Sequence, residues 1–127
     1  MVTPLYAGIL GLIYVVISAY AILGRFKHNV NLGDGQNEDM LKRIRIHSNF
    51  IEYVPFALLL MVLAEVEGAS EKLIHILGIA LIIGRIIHPI GVVKVIGPSI
   101  GRSGGMVLTF LVILISAALC IKSYFIF

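Results

Sequence analysis

Apolar residues fall in four long blocks along the chain, at residues 5–23, 50–66, 73–93 and 106–121. Each approaches the roughly 20 mostly apolar residues that a helix needs to cross a hydrocarbon core. Little more than connecting loop lies between them. The pattern therefore predicts an all-α fold, an integral membrane four-helix bundle forming a single domain over residues 1–127.

Polar punctuation places the helix ends. In the first loop, "NVNLGDGQNED", Gly33-Asp34-Gly35 is a turn signal, and Asn37, Glu38 and Asp39 suit a helix N-terminus. Helix two should begin near Glu38 and run amphipathic through "MLKRIRIHSNF" before entering the hydrocarbon, with Pro55 interrupting it early in its apolar part. The turn "EGAS" leads to helix three from about Lys72. The stretch "VIGPSIGRSGG" reads as a loop, with helix four starting close after Gly105.

Composition agrees with a membrane protein. Of the 127 residues, 59% are hydrophobic and 13% charged, and the mean hydropathy of +1.03 is too high for a soluble domain. The first block has no basic segment before it, and Arg25 and Lys27 follow it, so it is expected to stay in the mature protein and not to act as a secretory signal. Cys120 is the single cysteine, which excludes an internal disulfide and suits an inert packing residue.

Charge sets the expected orientation. The first loop carries Arg25, Lys27, Lys42, Arg43 and Arg45 and the third Lys94 and Arg102, whereas the second holds Glu65, Glu67 and Glu71 beside Lys72. By the positive-inside rule, loops one and three face the cytoplasm and both termini lie outside. The net charge of +3 then reflects topology and anionic headgroups, with no sign of nucleic-acid binding.

The segment "RIRIHSNFIEY" is the chemically unusual one. At about 100° per residue, Arg45, Asn49 and Glu52 share one face of helix two with Ser48 at its edge, while Arg43 and His47 point nearly the opposite way. An ionised side chain deep in a helix costs roughly 2.5–3.5 kcal/mol on insertion scales, so Glu52 calls for a cation. Arg85 lies at a comparable depth on helix three, with His88 one turn on. A structural ion pair locking two helices is the plain reading of Glu52 and Arg85 alone.

More groups converge than such a pair needs. Arg45, Asn49, Glu52, Arg85, His88, Arg102 and Ser103 all fall near the cytoplasmic ends of helices two to four. Arginines take carboxylates bidentately, Glu holds an ammonium, and Asn both donates and accepts, so the set suits a small zwitterion with more than one carboxylate. No metal site is expected, because the four histidines are scattered and there is no HExxH or CxxC. His28 and His75 are expected near the membrane surfaces without a special role.

"RIRIHSNFIEYVP" followed by "GRIIHPIG" closely resembles the two signature segments of the MAPEG family, the membrane-associated proteins in eicosanoid and glutathione metabolism, and most nearly its short bacterial branch. The resemblance implies a homotrimer in the bacterial inner membrane that binds glutathione, as co-substrate, between adjacent subunits near the cytoplasmic face. On the matching positions, Arg45, Ser48, Asn49 and Glu52 of helix two and Arg85 and His88 of helix three would contact glutathione. Arg25, at the end of helix one, would reach the same pocket. Arg102 and Ser103 match the pair that lies beside the thiol. Ser48 stands where the family often has arginine, and Gly91, Val92 and Val93 occupy the region where a tyrosine follows Arg85.

The activity so implied is a glutathione transferase or peroxidase, in which glutathione thiolate attacks a lipophilic electrophile arriving from the membrane. Arg102 is the expected catalytic cation and Ser103 an auxiliary donor. The apolar substrate would lie against helices one and four. The alternative is a non-catalytic member of the same family that holds a lipid or a partner protein. A small multidrug-type transporter would want a membrane-embedded Glu in helix one, which has no charge before Arg25.

Overall fold

The computed structural model describes residues 1–94 and 97–126. Four helices account for nearly all of them: α1 (Thr3–His28), α2 (Glu38–Val66), α3 (Glu71–Lys94) and α4 (Ile100–Phe125). Each is long and apolar enough to span a membrane. Their surfaces carry exposed large hydrophobics along much of their length, among them Leu12, Val16, Phe56, Leu59, Ile83, Leu111 and Leu114. Such a surface belongs in hydrocarbon, since a soluble chain rarely exposes contiguous apolar area of that extent.

The short connections make neighbouring helices antiparallel. α2 and α3 form the middle of the bundle, α1 packs on one side against both, and α4 on the other; among the described residues α1 and α4 do not meet. One end of the bundle is basic, with Arg25, Lys27, Lys42 and Lys94, and the other carries Glu65, Glu67 and Glu71. The core contains Leu10 and Ile17 of α1, Ile46, Phe50, Val54 and Met61 of α2, Leu77 and Leu81 of α3, and Val112 of α4.

Local chemistry fixes the ends. Gly33 and Gly35 both take positive φ, 67° and 59°, the left-handed region that glycine enters without steric cost. Asn37 then caps α2, its side chain accepting from the Met40 amide at 2.9 Å, so the helix begins at Glu38 as its sequence implies. α2 runs unbroken through Pro55 where an interruption was expected. At the acidic end, the Glu65 carboxylate accepts from the backbone amides of Val2 and Thr3, a carboxylate at a helix N-terminus.

The start of α4 departs from expectation. Residues Ile100–Gly105 are helical, not loop, with Ser99 as N-cap accepting from the Arg102 amide at 3.1 Å. Val95 and Ile96 of the expected loop lie outside the described residues. The glycines that read as loop signals serve helix contact instead. A β-carbon on Gly105 would stand 2.6 Å from the Gly84 carbonyl oxygen and 2.6 Å from His88 Cβ, and one on Gly101 would stand 2.9 Å from the Ile87 carbonyl oxygen. Small residues that let backbones touch drive association where no hydrophobic effect separates helix from lipid.

Candidate functional site

The site is assembled at the basic half of the bundle by α2, α3 and α4. Arg85, although its side chain is long and charged, is only 1% exposed. Its Nη2 donates to the Asn49 side-chain oxygen at 2.7 Å, its Nη1 lies 3.8 Å from the Met106 sulfur, and its guanidinium carbon is 5.6 Å from the centre of the Phe50 ring. Asn49 therefore supplies an oxygen acceptor to this cation within the chain. The expected Glu52–Arg85 pair does not form inside one subunit. Glu52 is exposed on the outer surface of α2, as is Arg45, one turn before Asn49.

His88, one turn beyond Arg85, is 2% exposed and backs onto Gly105 of α4. Arg85, Arg102 and Arg45 all lie close enough to act on it electrostatically. Of the seven groups expected to converge, Arg85, Arg102 and Arg45 lie within electrostatic range of His88 and Asn49 bonds Arg85, whereas Glu52 and Ser103 are exposed. Two buried nitrogens in this cluster, Arg85 Nε and His88 Nδ1, have no hydrogen-bond partner among the described residues. Buried polar atoms are rarely left so. Guanidinium groups suit an anionic ligand, and a carboxylate can accept from the unpartnered Arg85 Nε.

Arg102 sits half-buried in the first turn of α4, and Ser103 beside it is exposed. The tight packing that draws them in also bears on the missing tyrosine. The first turn of α4 passes directly over Gly91, so a β-carbon there would stand 2.6 Å from Ser99 Oγ and 2.8 Å from the Gly101 carbonyl carbon. No larger side chain fits at Gly91.

Arg25 and Ser48 are placed differently. Arg25 Nη1 donates to the Gly33 carbonyl at 2.9 Å and more weakly to that of Val30 at 3.4 Å, so within its own chain it holds the first loop. It lines a shallow pocket with Ser18, Ile44 and His47, on the face of α2 opposite Asn49. Ser48 is half-buried.

Sequence reasoning passed over several polar ties. Arg43 is buried between α1 and α2, where its Nε donates to Asp39 Oδ2 at 2.9 Å and its Nη1 to the Tyr20 carbonyl at 2.8 Å, with the guanidinium 4.0 Å from the Tyr20 ring centre. His28 Nε2 lies 2.6 Å from the same Asp39 oxygen. Asp39, more than two turns ahead of the span that begins at Phe50, is held below its ordinary carboxylate value chiefly by the His28 hydrogen bond and then by Arg43, against the opposing effect of burial. At the acidic end the Tyr6 hydroxyl lies 2.7 Å from His75 Nδ1. The i, i+4 spacing of Asp39 and Arg43 was a readable signal; the partners on α1 were not. Tyr53, next to Glu52, comes near enough to Arg85 to act on it and packs edge-on against Phe110 at 5.5 Å.

Four apolar spans around a buried cluster of arginine, histidine and asparagine define an integral membrane protein with a polar site sunk among its helices. The MAPEG family model matches residues 3–122, and the chain belongs to that family. It is similar to the inner membrane protein YecN of Escherichia coli K12, with 38% identity over 91 residues that cover 72% of this chain and 70% of the relative. YecN of the O6:H1 strain matches to the same extent. No solved structure matches the chain significantly.

Proposed function

We propose that this protein is a glutathione-dependent transferase or peroxidase of the inner membrane, working as a homotrimer with its basic end in the cytoplasm. The observation that carries the reading is the buried Arg85–His88 pair, with Arg45 and Arg102 bearing on it and two inward nitrogens left without partners. Glutathione has two carboxylates for the guanidinium groups. Glu52 and Arg45, exposed on one chain, complete the site against a neighbouring subunit, where Glu52 meets the glutathione ammonium or a cation and Arg25 of the neighbour approaches from the other side.

Chemistry then falls to Arg102 and Ser103. A free thiol titrates near about 8.5, and an adjacent guanidinium raises its thiolate fraction at neutral pH. The sulfur attacks an electrophilic carbon of a lipophilic substrate, the carbon–sulfur bond forms, and the leaving group departs with its electron pair while the thiol proton goes to solvent. Ser103 donates a hydrogen bond to the sulfur. The lack of a tyrosine hydroxyl beyond Arg85 favours a second reading, a non-catalytic binder of lipid or partner protein. Calorimetry with glutathione on detergent-purified protein, followed by turnover of aryl halides and lipid hydroperoxides, separates the two. Binding with turnover supports the transferase, binding alone supports the second reading, and no binding removes both the thiol and the site.

A further inference from the structure

α1 is tied to different helices at its two ends. At the acidic end the Tyr6 ring covers Gly78 of α3 and its hydroxyl meets His75. At the basic end α1 is bound to α2 instead, through the Arg43 bonds to Tyr20 and the close seating of Arg43 on Gly24. The two ties splay α1 away from α3. They leave a groove of about 470 Å³ between the α1 segment Ile13 to Tyr20 and the α3 segment Arg85 to Lys94.

The walls are apolar throughout, made by Ile17, Tyr20, Ile86, Pro89, Ile90 and Val93. Arg85 contributes to the floor, while its guanidinium is engaged with Asn49 on α2. Lys94 stands exposed at the basic mouth. Beside it Lys42 Nζ donates to the Val93 carbonyl at 3.1 Å, closing the end of α3. An apolar cleft of this kind does not hold water, because it offers no partners for it.

Charge decides between a hydrocarbon chain and a second copy of the protein. A parallel copy would bring to this mouth the same basic end, with its own Lys27, Lys42 and Lys94, while its Glu38 and Asp39 are already in ion pairs, its Asp34 carboxylate accepts from the Gln36 amide inside the first loop, Glu52 lies further along α2, and Glu65, Glu67 and Glu71 lie at the far end. Such a copy brings Lys94 more positive than negative charge, with Asp34 the one carboxylate at that end outside an ion pair among the described residues. A phospholipid with an anionic headgroup offers an apolar chain for the walls and a phosphate for the lysine at the matching depth.

We infer that the α1–α3 groove is a lipid site that takes one acyl chain of an anionic phospholipid, with its phosphate on Lys94. The one residue it shares with the glutathione reading is Arg85, whose guanidinium is turned to Asn49, so the site stands whether or not a thiol binds. Its occupant braces α3 directly behind Arg85.

The test is native mass spectrometry and thermal unfolding of the purified full chain with phosphatidylglycerol, with phosphatidylcholine of the same acyl chains, and with glycerol phosphate. Phosphatidylglycerol should bind and raise Tm more than phosphatidylcholine, and glycerol phosphate should do neither. Lys94→Gln should weaken phosphatidylglycerol about fivefold, the effect of one basic residue near a lipid surface, and leave phosphatidylcholine unchanged. Ile90→Trp, which fills the groove, should abolish binding of both lipids, whereas Ile83→Trp, exposed on α3 outside the groove, should not. Equal binding of the two lipids, or a silent Lys94→Gln, would overturn the headgroup assignment. An Ile90→Trp variant that breaks the oligomer but still binds phosphatidylglycerol would assign the groove to a second copy instead, and an effect reproduced by glycerol phosphate would leave only an anion site.

Discussion

Arg85 of α3 and Asn49 of α2 are joined at 2.7 Å across the middle of the bundle, with the guanidinium almost wholly buried. A neutral amide thus accepts from the cation and leaves the carboxylate three residues on, Glu52, at the surface. This frees Glu52 for a ligand or a neighbouring chain.

Removing Asn49's oxygen strands a buried charge. Asn49→Ala should destabilise the bundle by about 1.5–3 kcal/mol, the range for hydrogen bonds to charged groups, and Asn49→Asp should recover most of it. Thermal unfolding in detergent reads both. An Asn49→Ala variant as stable as the parent would mean that the bond contributes nothing net.

Gly24 and Arg43 should be coupled. A β-carbon on Gly24 would lie 2.9 Å from Arg43 Nε and closer still to its aliphatic stem. Gly24→Ala therefore forces Arg43 from Tyr20 and Asp39 and destabilises the protein. In the Arg43→Ala background the same substitution should be nearly harmless, a non-additivity of about 1 kcal/mol, as is usual for contacting residues. Simple additivity in the double-mutant cycle would contradict the clamp.

Gly105→Ala should cost about 1–3 kcal/mol by overpacking, because its new methyl would meet the Gly84 carbonyl and His88. Gly8→Ala, with open space around it, serves as the control and should change Tm little. If glutathione is the ligand, its affinity should fall with Gly105→Ala as well, since Gly105 backs His88.

The knot at the basic end should be acid-sensitive. Asp39 titrates below its ordinary value of 3.8 in the folded chain, so its contribution is present above that value and is lost as pH falls through the lower, folded-state value. Parent and Asp39→Asn should differ in Tm from neutral pH down to about 4 and converge below it. A constant difference across that range would assign the effect to packing.

Arg102 and Arg45 should separate kinetically if glutathione is the substrate. Arg102→Ala should lower kcat and raise the thiol pKa with little change in KM, and Arg45→Ala should chiefly raise KM. Thiolate absorbance followed against pH in the two variants distinguishes them. An unchanged thiol pKa in Arg102→Ala would remove Arg102 from its catalytic role.

Much of this protein is written locally. The four apolar blocks set the four spanning helices because hydrocarbon leaves the backbone no other partner than itself. Asn37, Glu38 and Asp39 set the start of α2 through a cap that needs no other part of the chain. The spacing of Arg45, Asn49 and Glu52, and of Arg85 and His88, puts those groups on common helix faces whatever the packing. Tertiary structure decided the rest. The sequence of α4 reads as loop up to Gly105 because glycine disfavours an isolated helix, yet the bundle makes those glycines helical by pressing them against Gly84 and Gly91. Whether Arg85 would meet Glu52 or Asn49 depended on the rotation of α2 against α3, to which helical periodicity is blind. The burial of Arg43 and the splay of α1 likewise came from contacts more than a dozen residues apart in the chain, where sequence spacing carries no information about distance.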